Sequence, residues 1–145
     1  VEADEIGQVW STQTQGGQPL AGAGVVISNL AGTCAIAERH GNPPSRTTVA
    51  FEVVQPGSAV GPGSYEVGST EHGVEASLEV TDASCNIIGG GQSITGTVTV
   101  TTSTADRIEG SFDLTFDSGD HLTGTFAAPV CGALLFASMT GACGS

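Results

Sequence analysis

The most regular stretch of the chain is Val74 to Asp82, where Val74, Ala76, Leu78 and Val80 alternate with Glu75, Ser77, Glu79 and Thr81. A period of two places one set on a buried face and the other in water, so this is a strand. Thr47 to Val54 repeats the pattern, with Val49, Phe51 and Val53 on one side. Further strands are predicted over Ile6 to Thr14, Gly22 to Leu30 leading to Cys34, and briefly around Tyr65 and Val67. Between them, Gly16-Gly17-Gln18-Pro19 is a turn, and Glu38 to Arg46 and Pro56 to Gly63 hold too much Pro and Gly to be other than loops. Helical periodicity competes only in Ala133-Leu134-Leu135-Phe136-Ala137, which reads equally as strand or short helix.

From Ile94 onward a motif recurs: an aliphatic residue, any residue, Gly, Ser or Thr, then Val or Phe. It runs Ile94-Thr95-Gly96-Thr97-Val98, then Ile108-Glu109-Gly110-Ser111-Phe112, then Leu122-Thr123-Gly124-Thr125-Phe126. The step from Gly96 to Gly110 to Gly124 is constant and too short for a solenoid unit, so it fits a meander of one strand and one turn per repeat. Even-numbered positions, including Ile94, Val98, Val100, Ile108, Phe112, Leu114, Phe116, Leu122 and Phe126, form the core face together with the three glycines. Odd positions carry hydroxyls and a few carboxylates. Turns at Ser103 to Asp106 and Asp117 to Asp120 would pair Val100 with Ile108, Gly96 with Phe112, Phe116 with Leu122, Leu114 with Gly124 and Phe112 with Phe126. Large apolar side chains opposite or near the glycines offset the weakness of Gly in a strand.

Composition agrees with a β-rich core. Aromatic residues make up 5% of the chain and there are 22 glycines, so Val, Ile, Leu, Ala and a few Phe must fill the interior. At 145 residues the chain makes one domain, 1–145. Three Arg and no Lys against fifteen acidic residues give a net charge of −12, which argues against nucleic acid and anionic membrane surfaces as partners. No apolar run is long enough to span a membrane. The reading is of a mature exported chain, with a lipid anchor before Val1 left open.

Cys34, Cys85, Cys131 and Cys143 are scattered, with no CxxC pair, which favours two disulfides and an oxidising compartment over a zinc ribbon. Cys131 follows the third meander strand, at the end of the sheet away from Ile94. Cys85 lies near the Ile94 end if the Val74 to Asp82 strand pairs antiparallel with the first meander strand. Pairing Cys85 with Cys131 is then awkward, and Cys34 with Cys131 and Cys85 with Cys143 is preferred among the three connectivities.

Candidate chemistry is sparse. His40, His72 and His121 lack HExxH or HxH spacing, and no nucleophile elbow is present. Asp117-Ser118-Gly119-Asp120-His121 resembles part of a Ca²⁺ loop, with Asp117 and Asp120 as ligands, but reads more simply as a hairpin turn. Glu75, Glu79, Glu109 and Asp113 fall on outward faces as solvated surface. Trp10 and Tyr65 make a thin platform for sugar stacking.

The segments from Gly110 to Phe116 and from Asp120 to Cys131 resemble the C-terminal part of small secreted or lipid-anchored β-rich bacterial surface proteins of unknown function. The resemblance implies a cell-surface location and brings no catalytic residues with it. The expectation is therefore an antiparallel β-sandwich of about eight strands with a C-terminal three-strand meander and two disulfides. The expected role is that of a non-enzymatic extracellular structural protein without cofactor, assembling with copies of itself by strand pairing, concretely by an N-terminal segment entering a neighbour's sheet. A module binding a glycan or Ca²⁺ through the loops Glu38 to Arg46 and Asp117 to His121 is the alternative.

Overall fold

A computed structural model describes residues 4–13, 17–132 and 141–144. The segment Ala133 to Ala137, read as strand or helix, lies outside the described residues. The strands are β1 (Asp4–Gln13), β2 (Pro19–Ser28), β3 (Thr47–Pro56), β4 (Gly63–Val67), β5 (Gly73–Thr81), β6 (Ile87–Ser103), β7 (Arg107–Phe116) and β8 (His121–Pro129). They form one mixed sheet in the order β1-β2-β3-β5-β4-β6-β7-β8, with β5 also pairing to β6.

The expected two-layer antiparallel sandwich is therefore replaced by a single sheet that curls around its own core. Curling is visible in the aromatic contacts. Phe51 of β3 meets Phe126 of β8 edge to face at 5.1 Å, and Phe112 of β7 lies 6.0 Å from Phe51, although several strands separate them in the sheet. The inner face is layered by register: Ala23, Val53 and Val74 are successive cross-strand neighbours, as are Val25, Phe51 and Ala76. All six are buried, as are Val98, Val100, Ile108, Leu114 and Phe116 from the meander.

One pairing breaks the antiparallel pattern. β4 is a short strand wedged between β5 and β6, and it runs parallel to β5 through Glu66 and Val67. Because one of seven successive pairings is parallel, the first and last strands of the order point the same way. They meet along part of their length: Gly7 and Val130 form a parallel bridge, the Cys131 amide donates to the Gly7 carbonyl at 2.7 Å, and the Ala127 amide donates to the Glu5 carboxylate at 2.7 Å. A Cβ on Gly7 would stand 3.0 Å from Ile108 Cδ1 and 3.5 Å from Ala128 Cβ, so any side chain there would press on Ile108.

The meander exists with the core face expected, but both hairpins are shifted by two residues. Gly124 faces Phe112, Gly110 faces Phe126, Leu114 faces Leu122, and across the first hairpin Gly96 faces Leu114 and Val100 faces Gly110. In the second hairpin, Gly119 adopts φ 93°, and the Phe116 and Asp120 backbones close a turn of only Asp117, Ser118 and Gly119. In the first, an irregularity between Val100 and Thr102 moves the register. Gly124 and Gly110 thus face phenylalanines, whereas the expected register gave one to Gly96 and set Gly124 against Leu114.

β6 begins at Ile87, well before the repeat, and its parity reverses at an irregularity between Ser93 and Thr95. Ile94 sits at that irregularity and is exposed, contrary to its expected place in the core.

A helix not foreseen, α1 (Thr33–Glu38), carries Cys34. Cys34 bonds Cys131 and Cys85 bonds Cys143, over 97 and 58 residues respectively. The first disulfide packs beside Val26 and Ala50 on the outer face of β2 and β3. The second joins the β5–β6 turn to the end of the chain, where Cys143 also bridges to Asn42. Asp82 organises that turn: its carboxylate accepts from the Ser84 and Asn86 amides and the Asn86 side chain. These bonds, led by the Asn86 side chain, hold its acid below the usual carboxylate range.

Candidate functional site

The residues singled out for chemistry are dispersed. Asp117 and Asp120 share a turn, yet each carboxylate has a local task. Asp117 Oδ1 accepts the Gln92 amide at 3.1 Å, and the Asp117 amide donates to the Gln92 carbonyl at 2.9 Å, latching the hairpin tip to β6. Asp120 Oδ2 accepts the Ser118 hydroxyl at 2.6 Å. His121 reaches Asp113 at 2.7 Å across β7 and β8, in the open. His40 and His72 are exposed, the latter 5.7 Å from the Tyr65 ring, so the three imidazoles do not converge.

Tyr65 is fully buried, which removes it as a stacking platform. Its hydroxyl lies 2.8 Å from the Gly61 carbonyl and 2.6 Å from Gln55 Oε1, anchoring the Pro56 to Gly63 loop. Burial pushes this phenol above its ordinary range, with the Gly61 bond partly opposing. Trp10 lies opposite Gly22 in the β1–β2 ladder. Its side chain lies outside the described residues.

The outward acids are not simply solvated, as expected from parity. Glu79 pairs with Arg46 at 2.6 Å, Glu109 pairs with Arg107, and Asp113 holds His121. Glu75 stands directly opposite Glu52 in the β3–β5 ladder. Like charges facing across a ladder are unfavourable, and both line a shallow groove of about 360 Å³ with Val54 and Ser69 and an adjoining one of about 210 Å³ with Ser77 and Gln92. This groove escaped sequence reasoning because only the β3–β5 register brings the two acids together.

A second surface is apolar. Ile87, Ile88 and Ile94 are the large hydrophobic residues most exposed among those described, at 70%, 65% and 56%. All three belong to the first half of β6. There β6 pairs with β5 from Ile87 to Gln92, while its pairing with β7 starts only at Ser93. On its other side, the first half of β6 is an open edge among the described residues, ending at the Asp117 latch. Ser93 serves the inner side of the same region, its hydroxyl accepting the Ala76 amide at 3.0 Å where β5 passes from β4 to β6.

Cys34, Glu38 and Cys131 converge, but both sulfurs are spent in a disulfide and offer no thiolate to a metal. No helix among the described residues is long and apolar enough to cross a membrane. No family model, curated protein or solved structure matches this chain.

Proposed function

We propose that the chain is a non-enzymatic structural protein of the cell surface or extracellular space that assembles with copies of itself through β-strand pairing. The observation that carries this reading is the open, isoleucine-bearing edge of β6. Soluble proteins guard such edges with Lys, Pro, inward charges or covering loops, because an exposed edge templates another strand. Two disulfides fit an oxidising environment, and the resemblance of the C-terminal third to bacterial surface proteins points the same way.

The N-terminal version of assembly loses support. β1 pairs with its own β2 from Asp4 to Gln13, so in this structure the segment is already placed in its own sheet. The open edge of β6 takes over as the surface for strand pairing.

Sedimentation velocity over a wide concentration range, with images of the native material, tests the assembly reading. Concentration-dependent association or a regular polymer is expected. A protein that stays monomeric at millimolar concentration overturns it.

The facing of Glu52 and Glu75 favours a second reading, a Ca²⁺- or glycan-binding module, with the binding surface moved from the loops to the β3–β5 groove. Calorimetry with Ca²⁺ and a glycan array distinguish the two readings, and no signal in either removes the second.

A further inference from the structure

We infer that Ile87–Gly91 of β6 pairs with the same segment of a second copy, antiparallel and about a two-fold axis; this rests on the assembly reading above and names its contact. The backbone there is prepared on one side only. Gln92 turns its amide and carbonyl away from β5 to meet Asp117. Strand alternation turns the Gly90 amide and carbonyl and the Ile88 carbonyl the same way, where no partner stands among the described residues, up to the irregularity at which Ile88 is the extra residue between the Val80–Gly89 and Thr81–Ile87 pairs.

Charge selects the occupant. The chain carries −12, so two copies repel over most of their surfaces. From Asn86 to Ala105, however, no residue is charged. Antiparallel pairing of this stretch with itself sets neutral against neutral and covers Ile87 and Ile88, two of the most exposed apolar side chains described. A basic foreign strand would find its charges better matched elsewhere on this acidic protein.

Shape agrees with a symmetric contact. The open edge is bounded at one end by the Asp117–Gly119 turn and at the other by the Asp82–Asn86 turn, each fixed by its own hydrogen bonds. The Ile87–Gly91 segment of a second copy, itself preceded by the tight Asp82–Asn86 turn, matches the open stretch in length. A two-fold contact uses one patch twice and needs no other complementary surface. The resulting pair is the unit from which any larger assembly is built.

The test uses the full chain with both disulfides intact. Sedimentation velocity compares the wild type with Ile88→Lys and with Thr125→Lys, which makes the same charge change on the exposed outer face of β8. Ile88→Lys removes the apolar side chain that the contact covers and sets an ammonium group from each copy diagonally across the axis, so association is expected to weaken by about tenfold or more, while Thr125→Lys leaves it unchanged. Hydrogen exchange on the wild type supplies an independent readout: protection of the Gly90 amide should rise with protein concentration. If the wild type associates but Ile88→Lys associates equally well and that amide stays unprotected, this contact is wrong and the assembly reading stands. If the wild type is monomeric throughout, both fail.

Discussion

The two halves of β6 are one continuous strand with opposite fates. Its second half, around Val98 and Val100, is flanked by β4 and β7 and sends fully buried side chains into the core. The first half, Ile87 to Gln92, is flanked among the described residues by β5 alone, is built on Gly89-Gly90-Gly91, and leaves its isoleucines in water. The glycines weaken the first half as a strand, but they do not explain why its isoleucines stay in water, since Ile is as good a strand former as Val. What differs is the company. β7 stops at Phe116, and the chain reverses through a turn that reaches back to β6 with a single residue, Asp117. Burial in this protein follows from where neighbouring strands end, as much as from which residues are apolar.

Paired truncations should break the strand into those two behaviours. Leu114 is fully buried and faces Gly96 across the well-flanked half, so Leu114→Ala should cost about 2–5 kcal/mol in urea unfolding. Ile94→Ala, at the exposed irregularity, should stay within about 0.5 kcal/mol of wild type in the same assay. Equal losses at the two positions would mean that Ile94 is buried after all.

The boundary between the halves can be tested at the latch. Asp117→Ala removes the acceptor of the Gln92 amide but leaves the Asp117 amide to donate to the Gln92 carbonyl. A loss of about 0.5–1.5 kcal/mol is expected, with faster exchange of the Gln92 amide specifically. Unchanged exchange there would show that the carboxylate does not hold the junction.

The smallest effect is expected at the entrance to the open half, where Asp82 is half-buried. Its acid is held below the ordinary range in the folded state, mainly by the Asn86 side chain and then by the Asn86 and Ser84 amides. A depressed carboxyl contributes stability above its unfolded value of about 3.9, and that contribution is lost as pH falls through the folded value. Asp82→Asn should therefore flatten part of the decline in unfolding midpoint between neutral pH and strong acid. Parallel pH curves for wild type and variant would refute the assignment.

Much of this was legible in residue order, for a definite reason. Alternation reports which face a side chain occupies, so Val49, Phe51 and Val53, or Val74, Ala76 and Leu78, announce an inner face without reference to any partner. Alternation is blind to a slip of two, because every side chain keeps its face. That is the error in both hairpins: the left-handed Gly119 tightens one turn, the irregularity beyond Val100 displaces the other, and neither alters the apolar pattern. The cysteine pairs depend on which end of the sheet each occupies, a property that survives such a slip. The first half of β6 was not legible, since three consecutive glycines between exposed isoleucines carry no periodicity. Nor was the Glu52–Glu75 groove, whose two acids meet only through long-range pairing.

The meeting of β1 with β8 also governs when the molecule can form. Glu5 and Ala127 lie 122 residues apart in the chain, and Cys34 must wait 97 residues for Cys131. Neither contact can be made by a nascent chain that has delivered only its first strands. Loop closure over such distances slows the folding rate, so the last strand sets the moment at which the β1 edge is protected. Until that strand is delivered, the β1 edge stays open to any other strand it meets.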